Sequence, residues 1–114
     1  MSQWTTICHD EQLSSNLGTC ALVGSHQVAV FRVGDQFFAL DNFDPFSGAN
    51  VISRGIVGDL QGRVVVASPI YKQHFDLATG QCLEDDDVSL NVFPVRLHDG
   101  AIQVMAAPLV SQVA

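Results

Sequence analysis

Apolar and polar positions along this chain repeat on a short period. Gln27-Val28-Ala29-Val30-Phe31-Arg32-Val33 is alternating and rich in β-branched residues, and Gln36-Phe37-Phe38-Ala39-Leu40 follows it across Gly34-Asp35. Two such runs around a Gly-Asp pair predict a hairpin, because glycine takes the left-handed backbone that a two-residue turn requires. Cys20-Ala21-Leu22-Val23 ahead of Gly24-Ser25-His26 predicts a second hairpin. A third is predicted where Val92-Phe93-Pro94-Val95-Arg96-Leu97 meets His98-Asp99-Gly100 and then Ala101-Ile102-Gln103-Val104. Residues 64–67, after Gly62, read as a buried strand. No window sustains a 3.6-residue apolar period. His9-Asp10-Glu11-Gln12-Leu13 suggests one short helical turn, with Asp10 as its N-cap. Many short strands joined by regular turns predict an all-β sandwich or small barrel. After Met105 the run over 106–114 carries no charge and no clear period, so we expect a domain over 1–105 and a flexible tail over 106–114.

Composition narrows the picture. The chain has 114 residues, 47% of them apolar and 15% charged. That suits one folded domain around a single core rather than a disordered segment. Five Lys+Arg against 12 Asp+Glu give a net charge of −7. Such a surface repels phosphate backbones and anionic lipid, so neither nucleic acid nor a membrane is an expected partner. No apolar stretch approaches the roughly 20 residues of a spanning helix. The start Met1-Ser2-Gln3-Trp4-Thr5-Thr6 has neither the basic nor the apolar region of a signal peptide. Cys8, Cys20 and Cys82 are odd in number and widely spaced, which speaks against a disulfide framework and fits a reducing cytoplasm.

Two segments carry the candidate chemistry. The first is Phe38-Ala39-Leu40-Asp41-Asn42-Phe43-Asp44-Pro45-Phe46-Ser47-Gly48, followed by Val51-Ile52-Ser53-Arg54-Gly55. The second is Val65-Val66-Ala67-Ser68-Pro69-Ile70-Tyr71-Lys72-Gln73-His74-Phe75-Asp76-Leu77-Ala78-Thr79-Gly80. Each sets a proline in a loop directly after a strand. This framing resembles the Rieske iron–sulfur domain over roughly residues 20 to 104. There a Cys-Pro-His box and a Cys-Pro-x-His-Gly box each give one cysteine and one histidine to a [2Fe–2S] cluster. The resemblance implies a Rieske-like fold of small antiparallel sheets in a sandwich, the two loops forming a subdomain at one end. It also sets Asp44 and Ser68 at the two cysteine positions, Phe46 and Tyr71 at the two histidine positions, and Lys72 at the glycine. Phenylalanine and a neutral serine cannot replace imidazole or thiolate on iron, so no cluster and no other cofactor is expected in this chain.

The manner of substitution is similar to one branch of that superfamily, the small subunits of bacterial assimilatory NAD(P)H-dependent nitrite reductases. Asn42-Phe43-Asp44-Pro45-Phe46, Ile52-Ser53-Arg54-Gly55 and Val66-Ala67-Ser68-Pro69 carry that likeness, with Met1-Ser2-Gln3-Trp4 and Ile7-Cys8. It implies a cytoplasmic, non-catalytic accessory chain. The partner would be a nitrite reductase large subunit carrying FAD, siroheme and an iron–sulfur cluster, which reduces nitrite to ammonium. The alternative is a cluster-free adapter for another reductase or oxygenase.

Other readings of the same residues stay in view. Asp44, Ser68 and His74 include the types of a hydrolytic triad, although nothing resembling a nucleophile elbow surrounds Ser68. Asp44 before Pro45 is also a plain turn residue. Asp44, Tyr71 and His74 could be asked to bind a metal, but no histidine stands at ligand spacing. Cys20 is expected in the core and Cys82 in an exposed position. Glu84-Asp85-Asp86-Asp87 is either a solvated loop or a patch that steers a basic partner. With no cluster between the loops, Phe43, Pro45, Phe46, Pro69, Ile70 and Tyr71 would form their tip. Phe46 is expected to fill vacated volume, while Tyr71 can also anchor a partner, so the four substituted positions double as a candidate interface.

Overall fold

In the computed structural model, which describes residues 4–106, the chain is built from hairpins. The pair across Gly34-Asp35 is β3 (His26–Val33) and β4 (Gln36–Asp41), in register from Val33↔Gln36 to Val28↔Asp41. Ahead of it, β2 (Leu17–Val23) pairs with β3 across Gly24-Ser25. The last hairpin joins β11 (Val95–His98) to β12 (Ala101–Met105) across Asp99-Gly100, both at positive φ (51° and 78°), as such a two-residue turn demands.

These hairpins assemble into layers. A central sheet has the order β10-β4-β3-β2, where β10 is Val92–Phe93. A second sheet, β1-β12-β11, is led by β1 (Trp4–His9). A third, β7-β8-β9, holds β7 (Ile56–Leu60), β8 (Arg63–Ala67) and β9 (His74–Asp76). The short ribbon β5 (Phe43–Asp44) and β6 (Ala49–Asn50) completes the set. The only helical elements among the described residues are single 3-10 turns at Asp10–Gln12 and Ile52–Arg54. The all-β expectation holds.

The alternation in β3 turns out to be an alternation of two apolar faces. Val28 and Val30, with Ala39 of β4, pack against Ile102 and Val104 of the second sheet. Ala29 and Phe31, with Leu40, pack against Val66 and Phe75 of the third. The central sheet is therefore covered on both sides, and Val28, Ala29, Val30 and Phe31 are all fully buried.

Three local expectations need correction. The run over 92–97 is not one strand. Pro94 has no N–H to donate, the ladder to β4 stops at Phe93, and the chain changes sheets to become β11. The N-cap of the first 3-10 turn is His9 rather than Asp10, and its backbone N–H donates to Gln12 Oε1 at 2.7 Å. The cysteines trade places: Cys20 is exposed on β2, at the sheet's edge, whereas Cys82 is buried through its bridge to Phe75. The tail expected over 106–114 lies, from residue 107, outside the described residues.

Candidate functional site

The two proline-bearing loops share one plan. The first leaves β5 at Asp44 and returns at Ala49; the second leaves β8 after Ala67, with Ser68 and Gln73 closing its base. In each, the residue before proline starts a turn closed four residues on. Gly48 N–H donates to Asp44 C=O at 2.8 Å, and Lys72 N–H donates to Ser68 C=O at 3.1 Å. The same two residues also accept from the residue two ahead. Phe46 N–H donates to Asp44 Oδ1 at 2.9 Å, and Ile70 N–H donates to Ser68 Oγ at 3.4 Å. These side-chain-to-backbone bonds are the Asx- and Ser-turn geometry that Asp and Ser favour before a proline.

The two turns are then joined side by side. Ser68 Oγ donates to Asp44 Oδ2 at 2.5 Å, and both residues are buried, 1% and 0% exposed. Phe46 turns inward against the core, its ring tilted on Phe75 at 6.2 Å between centroids. Tyr71 points the other way and is 60% exposed. Phe43 and Ile70 are also exposed, as are Pro45 and Pro69. Of the four positions singled out in sequence, Asp44 and Ser68 therefore bind each other, Phe46 is half-buried against the core, and Tyr71 stands on the surface.

His74 does not join Ser68. Its backbone N–H donates to Glu84 Oε1 at 2.8 Å, and its Nδ1 lies 2.6 Å from Glu84 Oε2. Burial works against the Glu84 charge, but the His74 backbone N–H and imidazole outweigh it and hold the carboxyl below its ordinary value. No Asp–His–Ser relay is formed. Part of the acidic run is thereby used: Glu84 ties the loop over 83–87 to the base of the second proline loop. Asp86 and Asp87 stay exposed. Burial pushes the Cys8 and Cys82 thiols up, so neither is poised as a thiolate. Among the described residues no group of three or more His, Cys, Asp or Glu converges as a metal site.

Comparison with known proteins agrees with this architecture. The model of the Rieske-like [2Fe-2S] domain family matches residues 3–105. The nitrite reductase (NADH) small subunit of Salmonella typhimurium is 45% identical over 106 residues, covering 91% of this chain and 98% of that one. The chain belongs to the nitrite reductase small-subunit branch of the Rieske-like family. The NMR structure of the Escherichia coli protein NirD superposes with a TM-score of 0.87 at 43% identity, covering 94% of this chain and 99% of the other. A segment of the nitrite reductase [NAD(P)H] large subunit of Klebsiella oxytoca is 40% identical over 101 residues, which is 89% of this chain but 11% of that one.

The family's name invites a test for a [2Fe–2S] cluster, and the residues present do not fit one. A Rieske cluster needs two thiolates and two imidazoles. The resemblance sets the two cysteine positions at Asp44 and Ser68, oxygen donors already bonded to each other, which leaves no iron-sized gap between them. One histidine position is a ring committed to Phe75 and the other an exposed phenol.

Lys72 ends the second turn at φ +66°, where Gly48 ends the first at φ +74°. A side chain in this left-handed region costs roughly 1–2 kcal/mol, which glycine avoids while adding some unfolded-state entropy. Lys72→Gly is therefore expected to stabilise the chain by about 0.5 kcal/mol in urea unfolding. A loss of stability would show that the Lys72 side chain holds the loop by contacts of its own.

The partnership of Asp44 with Ser68 was not read from the sequence. The available signal was the repeated arrangement itself, Asp44-Pro45 and Ser68-Pro69, each directly after a strand.

Proposed function

We propose that this chain is the small accessory subunit of a cytoplasmic NAD(P)H-dependent nitrite reductase, and that it works without an iron–sulfur cluster of its own. The observation that carries this reading is the end-to-end likeness to nitrite reductase small subunits, together with a like segment built into a nitrite reductase large subunit. A unit that occurs both as a separate chain and inside the large chain has its working place against that chain. Electron transfer and nitrite reduction then belong to the large subunit, on the FAD, siroheme and iron–sulfur cluster expected there. The direct Asp44–Ser68 bond and the inward Phe46 support the absence of a cluster here.

The loop tip is the proposed contact. Phe43, Ile70 and Tyr71 are 47%, 45% and 60% exposed on or beside the two proline loops, apolar and aromatic side chains of the kind that anchor interfaces. Asp86 and Asp87, on the loop tied to its base through Glu84, would steer a basic surface toward it. Tyr71→Ala is expected to weaken binding to the large subunit by more than about 1 kcal/mol, a factor of five or more in Kd. Its effect on the free chain should stay within about 0.5 kcal/mol, because the side chain is exposed. Isothermal titration of the purified large subunit with both forms measures the first, and urea unfolding the second. An unchanged Kd moves the interface elsewhere.

A further inference from the structure

We propose that the Asp44–Ser68 bond is a latch that takes over, without metal, the cross-linking of the two loops. In the Rieske pattern each loop gives two ligands to one cluster, so the cluster ties the loops together. Here that tie has to come from protein atoms. Among the described residues the bond from Ser68 Oγ to Asp44 Oδ2 is the one hydrogen bond joining residues 44–48 to residues 68–73. It stands at the two former cysteine positions.

Three features suit it to that task. Both side chains are almost fully buried, so water does not replace the bond when it opens. It runs from a hydroxyl to a carboxylate, the stronger, charge-assisted kind. Each partner also caps its own turn: Asp44 holds Phe46 N–H, and Ser68 holds Ile70 N–H. Opening the latch therefore loosens both turns at once. Phe46, in the first turn, also packs on Phe75 of the core. The apolar tip is consequently set in its shape before any partner arrives, and in the absence of iron.

Amide hydrogen exchange on the full, free chain tests this, independently of whether the proposed nitrite reductase partner is correct. The informative amides are Phe46 and Gly48, which bond to Asp44 and not to Ser68. In Ser68→Ala they should exchange about tenfold faster or more, the size expected from losing a charge-assisted hydrogen bond, while amides of β3 and β4, which open only with the whole chain, speed up by no more than the loss of overall stability. Ser68→Thr, which retains the hydroxyl, should restore most of the protection. Unchanged Phe46 and Gly48 rates in Ser68→Ala would mean that the loops are held independently, and would overturn the latch. Should Ser68→Ala fail to fold, Asp44→Ala, which removes the acceptor outright, is read at Lys72 N–H in the opposite loop, with faster exchange expected and an unchanged rate overturning the proposal. Treating the wild-type chain with an iron chelator should leave every loop amide as it was. Protection that the chelator removes would show that a metal holds the loops, and would overturn it equally.

Discussion

Asp44→Ala is expected to destabilise the isolated chain by about 3 kcal/mol, the scale for removing one partner of a buried, charge-assisted hydrogen bond. The carboxylate is fully buried and holds two donors, the Ser68 hydroxyl and the Phe46 amide. Alanine leaves both without an acceptor where water does not reach, and opens a small void between the loops. At about 4–8 °C per kcal/mol for a domain of this size, the melting temperature should fall by roughly 15 °C. Asp44→Asn keeps an oxygen for Phe46 N–H and a polar atom for Ser68, and should cost well under half as much. Paired urea titrations of the two variants check this. A loss below about 1 kcal/mol in Asp44→Ala would mean that the Asx turn and the latch add little, and that Pro45 and Phe46 hold the loop unaided.

Gly80→Ala is expected to be at least as damaging, for a different reason. Gly80 closes the turn after β9, where Asp76 Oδ1 accepts from Ala78 and Thr79 N–H and Gly80 N–H donates to Asp76 C=O at 2.7 Å. Its own C=O accepts from Leu90 N–H at 2.8 Å, which brings the chain over 88–92 back onto the core. The residue sits at φ +80°, and a methyl group there would lie 2.1 Å from Leu90 O. That atom is backbone and cannot swing aside. Backbone strain and the forced separation of Leu90 from Phe75 and Leu77 together should cost more than about 3 kcal/mol. Gly62→Ala is the control. Its φ is +79° with nothing within 4 Å of the added methyl, so it should lose only about 1–2 kcal/mol. Equal losses at 62 and 80 in thermal unfolding would show that φ alone matters and that the close approach to Leu90 does not.

What was legible in the sequence was local. The turns at Gly24-Ser25, Gly34-Asp35 and Asp99-Gly100 are written in residues that tolerate positive φ, and the structure has hairpins at all three. The two loop prolines and the Phe75-to-Gly80 closure located the candidate site because their spacing is also local. Pairings distant in sequence were not legible. Cys82 looked like a loop residue because nothing near it indicates its bridge to Phe75. Cys20 looked like a core residue because it lies in an apolar run, but it shares the outward face of β2 with Leu22, which is 69% exposed. The latch spans 24 residues. Asp44 and Ser68 each have a sufficient local explanation as turn residues, and only their like placement before a loop proline hinted at a partnership. Glu84 likewise read as one charge of an acidic run, and only the fold brings it to His74.

We propose that this chain joins a nitrite reductase large subunit as a cluster-free partner. Native mass spectrometry of the complex formed from the purified chain and the large subunit tests it most directly, because one spectrum reports both assembly and cargo. We expect one small chain per large chain, since a like segment is carried within a single large polypeptide, and we expect the small chain to be released at its bare polypeptide mass. Failure to assemble, or a small chain released with iron and sulfide attached, would show that it is not a cluster-free partner of the large subunit.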